Sequence, residues 1–287
     1  MDINKFFYPQ SIAIIGASDK VGTIGYSLFE NLKKFNPFLI NPNLSEISGI
    51  KCYPKIAGVG VNIDLVIIAV PARIVPIILD EVAQTNIKNV IVISSGFKEV
   101  GRNDLEDLVK LISQKNNIFL LGPNCLGVLN PENGLNASFA ASVPKFGNIA
   151  FLSQSGAICT TFIDSASKYN LGYSKFISLG NKTILNENNL LSYFQTDPKT
   201  SVVAIYTEQL PSPSVLFNFG KPVIVLKSGR TSAGVAAAKS HTGALSGNDT
   251  AYDALFNQSG VIRADTLSDF INYQIIFSQN PLPKSNS

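Results

Sequence analysis

Residues Ser11–Gly25 read SIAIIGASDKVGTIG. An apolar run, Ile12–Ile15, enters a turn of small and polar residues at Gly16, and an amphipathic segment begins at about Thr23. This order predicts a strand, a glycine-rich turn and a helix. Such a corner turns backbone N–H groups and the positive end of a helix toward an anionic ligand. The pattern repeats outward: Ser11–Ile15, Asp64–Val70, Asn89–Ser94 and Ile118–Leu121 are short runs rich in Ile and Val, read as strands, with a shorter one at Phe38–Ile40. Thr23–Phe35, Arg73–Gln84 and Asn103–Gln114 carry helical spacing between them. Apolar strands alternating with amphipathic helices predict an α/β fold with a parallel sheet buried on both faces, here a five-stranded Rossmann-like domain over residues 1–129. Ser18 stands where the GxGxxG fingerprint has its second glycine, and no acid ends the Phe38–Ile40 strand to hold a ribose. An NAD-linked role is therefore disfavoured.

The loops VPA (Val70–Ala72), SSGF (Ser94–Phe97) and GPNCLG (Gly122–Gly127) follow predicted strands and should gather on the same sheet edge as Gly16. Residues 130–147 are polar and turn-rich and are read as a linker. The strand and helix alternation then restarts over 148–277 in a flavodoxin-like order, and 278–287 (SQNPLPKSNS) reads as an open C-terminal linker. This second domain opens with FLSQSGA, where Ser153, Gln154, Ser155 and Gly156 would face a phosphate or carboxylate at a helix start. A plain N-cap explains the same residues. The GxSxG nucleophile elbow of serine hydrolases is absent.

Ser228–Gly247 reads SGRTSAGVAAAKSHTGALSG, fifteen of twenty residues being Gly, Ala, Ser or Thr. His241, the chain's one histidine, sits within it. An imidazole among small side chains suits phosphoryl acceptance, and an idle surface histidine is the bland alternative. Glu208 ends the strand SVVAIYTEQL and is placed by topology on the same edge, where a carboxylate would fix the imidazole tautomer; a surface acid capping the next turn is the alternative reading.

Composition limits the rest. The chain has 287 residues, 45% of them apolar, enough for two cores. Its net charge of +3, without a basic run, predicts neither nucleic acid nor membrane as a partner. Three separated cysteines, Cys52, Cys125 and Cys159, fit neither a disulfide framework nor a metal site, and suggest a reducing cytoplasm. No apolar run approaches the roughly 20 residues that span a bilayer, and the N-terminus lacks the layout of a signal peptide.

The phrases SIAIIGAS, INPN, GIKCYP, ISSGFKEVG, LGPNCLGVLN, GNIAFLSQSGA, KPVIVLKSGRT, SHTGALSG and GVIRADT, collinear along the chain, resemble the α part of the NDP-forming acyl-CoA synthetases, relatives of succinyl-CoA synthetase. The resemblance implies a coenzyme A-binding domain followed by a succinyl-CoA-synthetase-type domain that carries a phosphorylated histidine. It puts that role on His241, with Glu208 as its acidic partner. It implies coenzyme A contacts at Gly16, Ser18, Asp19, Lys20, Val21, Pro42, Pro71, Ser94, Ser95, Gly96 and Asn124, and phosphate contacts at Ser153, Gln154, Ser155 and Gly156. The implied reaction joins acyl-CoA, phosphate and NDP to a small carboxylic acid, coenzyme A and NTP. Mg2+ and ADP or ATP are expected on an ATP-grasp β subunit in a hetero-oligomer, with no metal on this chain. Three departures stand out: Asn43 where many relatives have lysine, prolines at 211 and 213 in a shortened 209–221 segment, and the absence of an ATP-grasp region. A non-catalytic coenzyme A or acyl-CoA sensor with the same fold is the alternative.

Overall fold

The computed structural model describes residues 2–210, 216–229 and 249–280. The chain forms two compact units, Met1–Val143 with Ser178–Asn186, and Pro144–Ile177 with Glu187–Ser287.

In the first unit, Ile- and Val-rich segments form β1 (Ile12–Ile15), β2 (Phe38–Ile40), β3 (Glu46–Ile47), β4 (Ile50–Tyr53), β5 (Leu65–Ile68), β6 (Asn89–Val92) and β7 (Phe119–Leu121), in the order β3-β4-β2-β1-β5-β6-β7. All neighbours are parallel except β3 and β4. The sheet thus has seven strands where five were expected. The additional pair is a hairpin turned by Ser48 and Gly49, both at positive φ (50° and 77°), the geometry that a two-residue hairpin requires. Strands β1, β5 and β6 are buried along their whole length, as a sheet covered on both faces requires. Helices α1 (Asn4–Phe7), α2 (Ile24–Leu32), α3 (Val75–Ala83) and α4 (Asn103–Lys115) complete the unit. From α3 and α4, Val75, Leu79, Val82, Val109 and Ile112 join Val66, Ile68, Val90 and Val92 in one apolar core.

Residues 130–147, read as a linker, contain most of a buried antiparallel hairpin, β8 (Gly127–Asn130) and β9 (Leu135–Ser138), and the start of the next strand. Asparagine chemistry explains why polar sequence is buried here. Asn130 Oδ1 accepts the Glu132 N–H and Asn133 Oδ1 the Leu135 N–H, while both amides donate to the Phe7 carbonyl at 2.9 and 3.0 Å.

The second unit holds β10 (Phe146–Ser153), β11 (Tyr173–Ser178), β12 (Val202–Thr207), β13 (Val223–Lys227) and β14 (Ile262–Ala264), ordered β14-β13-β12-β10-β11. Helices α5 (Gly156–Ser165), α6 (Glu187–Thr196), α7 (Asp249–Ser259) and α8 (Leu267–Gln279) connect or follow them. Helix α8 takes in the first two residues of the expected tail. Phe151, Phe162, Phe176 and Phe270 form its aromatic core, with Phe151 stacked on Phe176 at 4.4 Å. Of the expected shortened segment 209–221, residues 211–215 lie outside the described residues. Among the described residues no helix is long and apolar enough to cross a membrane.

Candidate functional site

The corner after β1 is built by close approach of backbones. Gly16 has φ +92°, and a Cβ there would lie 2.5 Å from the Ala69 carbonyl oxygen. Its N–H donates to Ile40 O at 3.0 Å, and Ala69 N–H donates to Ile15 O at 2.8 Å, which locks the turn between the ends of β2 and β5. Thr23 caps α2, accepting the Tyr26 N–H at 3.2 Å. Asn41, a neighbour of Pro42, ties the next loop to this corner: its amide donates to Ala17 O at 2.8 Å and its Oδ1 accepts the Asn43 N–H at 2.8 Å.

Two adjoining depressions open on this edge. One, of about 560 Å3, is lined largely by apolar groups, among them Ile15, Pro42, Ile56, Val70, Pro71 and Ile77. The other, of about 440 Å3, is lined by Ser18, Thr23, Gly25, Ser94 and Ser95 among others. Gly16, Val70 and Pro71 belong to both. Of the expected coenzyme A contacts, Gly16, Ser18, Pro42, Pro71, Ser94 and Ser95 are thus gathered. Asp19, Lys20 and Val21 are exposed in the glycine turn and line neither depression. Gly96 and Asn124 also stand outside both linings. The Gly96 N–H donates to Glu99 Oε1 at 2.6 Å, and the Asn124 amide donates to Asn181 Oδ1 at 3.3 Å. Ser94 joins two loops, its hydroxyl donating to Val70 O at 2.6 Å and its carbonyl accepting the Asn124 N–H at 2.9 Å.

In the second unit, parallel pairing sets Ser153 opposite Tyr206 and Thr207 opposite Lys227, so the ends of β10, β12 and β13 lie side by side. Ser155 caps α5, accepting the Ile158 N–H at 3.3 Å, with Gly156 the first helical residue. Ser153 is buried, its hydroxyl donating to Ser155 O and accepting the Ser155 N–H. Gln154 Oε1 accepts the Glu208 N–H at 3.0 Å, which places Glu208 beside the SQSG turn. His241 and its SHTG motif lie outside the described residues. Sequence reading passed over Lys227, which is 2% exposed at the end of β13. Its Nζ donates to Ser228 O at 3.1 Å and stands 4.7 Å from the Tyr252 ring centroid. Burial pulls its pKa below the usual lysine value, opposed by the charge of Asp249. Among the described residues no group of three or more His, Cys, Asp or Glu could hold a metal ion.

Two α/β units, each with loops gathered at the carboxyl ends of its parallel strands, define a two-domain α/β protein. Residues 10–131 match the CoA binding domain model, and residues 146–277 match the succinyl-CoA ligase like flavodoxin domain. The chain belongs to the family formed by the α parts of NDP-forming acyl-CoA synthetases. It is 44% identical, over 99% of its length, to an ADP-forming acetate–CoA ligase of Methanocaldococcus jannaschii, of which it covers 42%. It is 36% identical to the α subunit of ADP-forming acetate–CoA ligase II of Pyrococcus furiosus, covering 64% of it. A solved structure of a dinucleotide forming acetyl-coenzyme A synthetase of Ca. Korarchaeum cryptofilum, in complex with phosphate and ADP, superposes with a TM-score of 0.94 at 36% identity, over 99% of this chain and 64% of that one. The chain therefore spans between about two fifths and two thirds of the length of these relatives.

Proposed function

We propose that the chain is the α-type part of an ADP-forming acyl-CoA synthetase, binding coenzyme A in its first unit and carrying a phosphoryl group on His241 in its second. The observation that carries this reading is the 3.0 Å bond from the Glu208 N–H to Gln154 Oε1. It sets the acid expected to hold the histidine next to the helix start expected to hold phosphate. Ser153, Gln154, Ser155 and Gly156 stand at the positive end of α5, the place this reading gives to the phosphate, with Ser155 Oγ also capping the helix.

A phosphate oxygen attacks the thioester carbonyl, the C–S bond breaks, and the coenzyme A thiolate leaves and takes a proton. A ring nitrogen of His241 then attacks the phosphorus of the acyl phosphate. The P–O bond to the acyl group breaks and the carboxylate departs. Glu208 holds the other ring N–H, so that the attacking nitrogen carries its lone pair and the phosphoimidazole charge is steadied. Finally a terminal oxygen of NDP takes the phosphoryl group and restores the imidazole.

The nucleotide and its Mg2+, which neutralises phosphate charge, are assigned to an ATP-grasp β partner, consistent with the naming of the Pyrococcus furiosus relative as a subunit. Mixed with such a partner, ATP and Mg2+, the chain should acquire acid-labile phosphate, and His241→Asn should abolish it. Equal labelling of parent and variant would refute the assignment, and coenzyme A binding without labelling by any partner would favour a sensor.

A further inference from the structure

The larger depression of the first unit is walled mainly by Ile, Val and Pro side chains, and among the residues lining it only Lys55 and Glu81 carry charge. They face each other loosely, with Lys55 Nζ 3.5 Å from Glu81 Oε1 and the lysine side chain 70% exposed. Surface pairs of this kind contribute little to stability, so the lysine can change partner at small cost. Asn43, on the same wall, is neutral.

Coenzyme A presents three features to such a surface. A flat purine suits an apolar slot, a pyrophosphate suits N–H groups at a helix start, and a 3′-phosphate sits on the ribose attached directly to the purine. Gly16 belongs to both depressions, whereas Ser18, Thr23 and Gly25 line only the smaller one and Lys55 lines only the apolar one. The glycine turn and the start of α2 are therefore placed for the pyrophosphate, and Lys55 for the phosphate next to the base. From this arrangement we infer that Lys55 is the residue that reads the 3′-phosphate of coenzyme A, with Glu81 holding the ammonium at the mouth of the slot until the phosphate replaces it. This rests on the coenzyme A-binding reading above and adds a specificity determinant to it.

Calorimetric titration of the full chain with coenzyme A and with 3′-dephospho-coenzyme A separates the two ideas. Lys55→Ala should weaken coenzyme A binding about ten-fold, the usual scale of one charge-assisted hydrogen bond, and change dephospho-coenzyme A binding less than about two-fold. Glu81→Gln should tighten coenzyme A selectively, because it removes both a competitor for the ammonium and a charge that repels the phosphate. The parent's preference for coenzyme A over the dephospho form should shrink as salt rises. If Lys55→Ala weakens both ligands equally, or neither, the assignment of Lys55 is overturned while the coenzyme A site stands. If the parent binds neither ligand, both readings fall.

Discussion

Glu99 lies half-buried behind the SSGF loop and accepts through one oxygen the N–H groups of Gly96 and Phe97, at 2.6 and 3.2 Å, and through the other the amide of Asn181 at 2.7 Å. Burial alone would raise its pKa. The Asn181 amide and the Gly96 N–H more than offset that, and hold the carboxyl below the usual range. A depressed carboxylate contributes stability that is complete above its unfolded pKa and is lost as pH falls through the folded one. Glu99→Gln should therefore cost about 1–3 kcal/mol at pH 7, since its new amide donors would oppose the Asn181 amide, and the cost should shrink toward pH 3. Urea midpoints of parent and variant from pH 7 to pH 3 check this, and a pH-independent difference would refute it. Such a link was not legible in the sequence. Asn181 is 82 residues from Glu99, and neither local spacing nor composition pairs them. Gly16 and Pro42 could be anticipated because strand ends and turn residues announce themselves, whereas Lys227 acts through contacts that only the folded chain creates.

At the scale of elements, α2 sits against the end of β1 because Gly25 lacks a side chain. A Cβ there would lie 2.0 Å from the Gly16 carbonyl oxygen, a backbone atom that cannot yield without opening the turn. Gly25→Ala should destabilise the protein by about 1–3 kcal/mol and weaken coenzyme A binding with it. Gly58→Ala is the control: its Cβ would meet only a Tyr53 ring atom, at 3.8 Å, and it should be neutral or slightly stabilising. Thermal melts of the two variants test the contrast, and equal losses would refute the close-approach argument. The strand Phe38–Ile40 falls where its apolar run places it. Both hairpins escaped for one reason: Ser48-Gly49 and Asn130–Gly134 look like loop, yet the turn geometry and the asparagine side chains satisfy the backbone and let short flanking strands pair.

Across the whole molecule the chain passes between its two compact units at 143/144, 177/178 and 186/187. Sequence periodicity shows a single boundary, because a short return segment carries no repeat of its own. Residues 178–186 nevertheless complete the first unit. Asn181 N–H donates to Pro123 O, Thr183 N–H to Gly122 O and Leu185 N–H to Leu120 O, at 2.9, 3.2 and 3.0 Å, which extends hydrogen bonding along the edge of β7. Asn181 and Thr183 side chains also donate to Glu106, a 6% exposed carboxylate paired with Lys98 at 3.0 Å. A fragment ending at residue 143 would leave Glu99 and Glu106 without these donors while Lys98 stays paired with Glu106, and hydrogen bonds to charged groups contribute about 1.5–3 kcal/mol each. Fragment 1–143 should accordingly unfold at lower urea than the full chain, and Asn181→Ala with Thr183→Val in the full chain should reproduce part of the loss. Coenzyme A binding follows from the same balance. Apparent affinity scales with the folded fraction, so calorimetry on 1–143 should return a weaker Kd and a lower competent fraction than the full chain. Equal stability and equal affinity of fragment and full chain would show that the return segment is dispensable to the first unit.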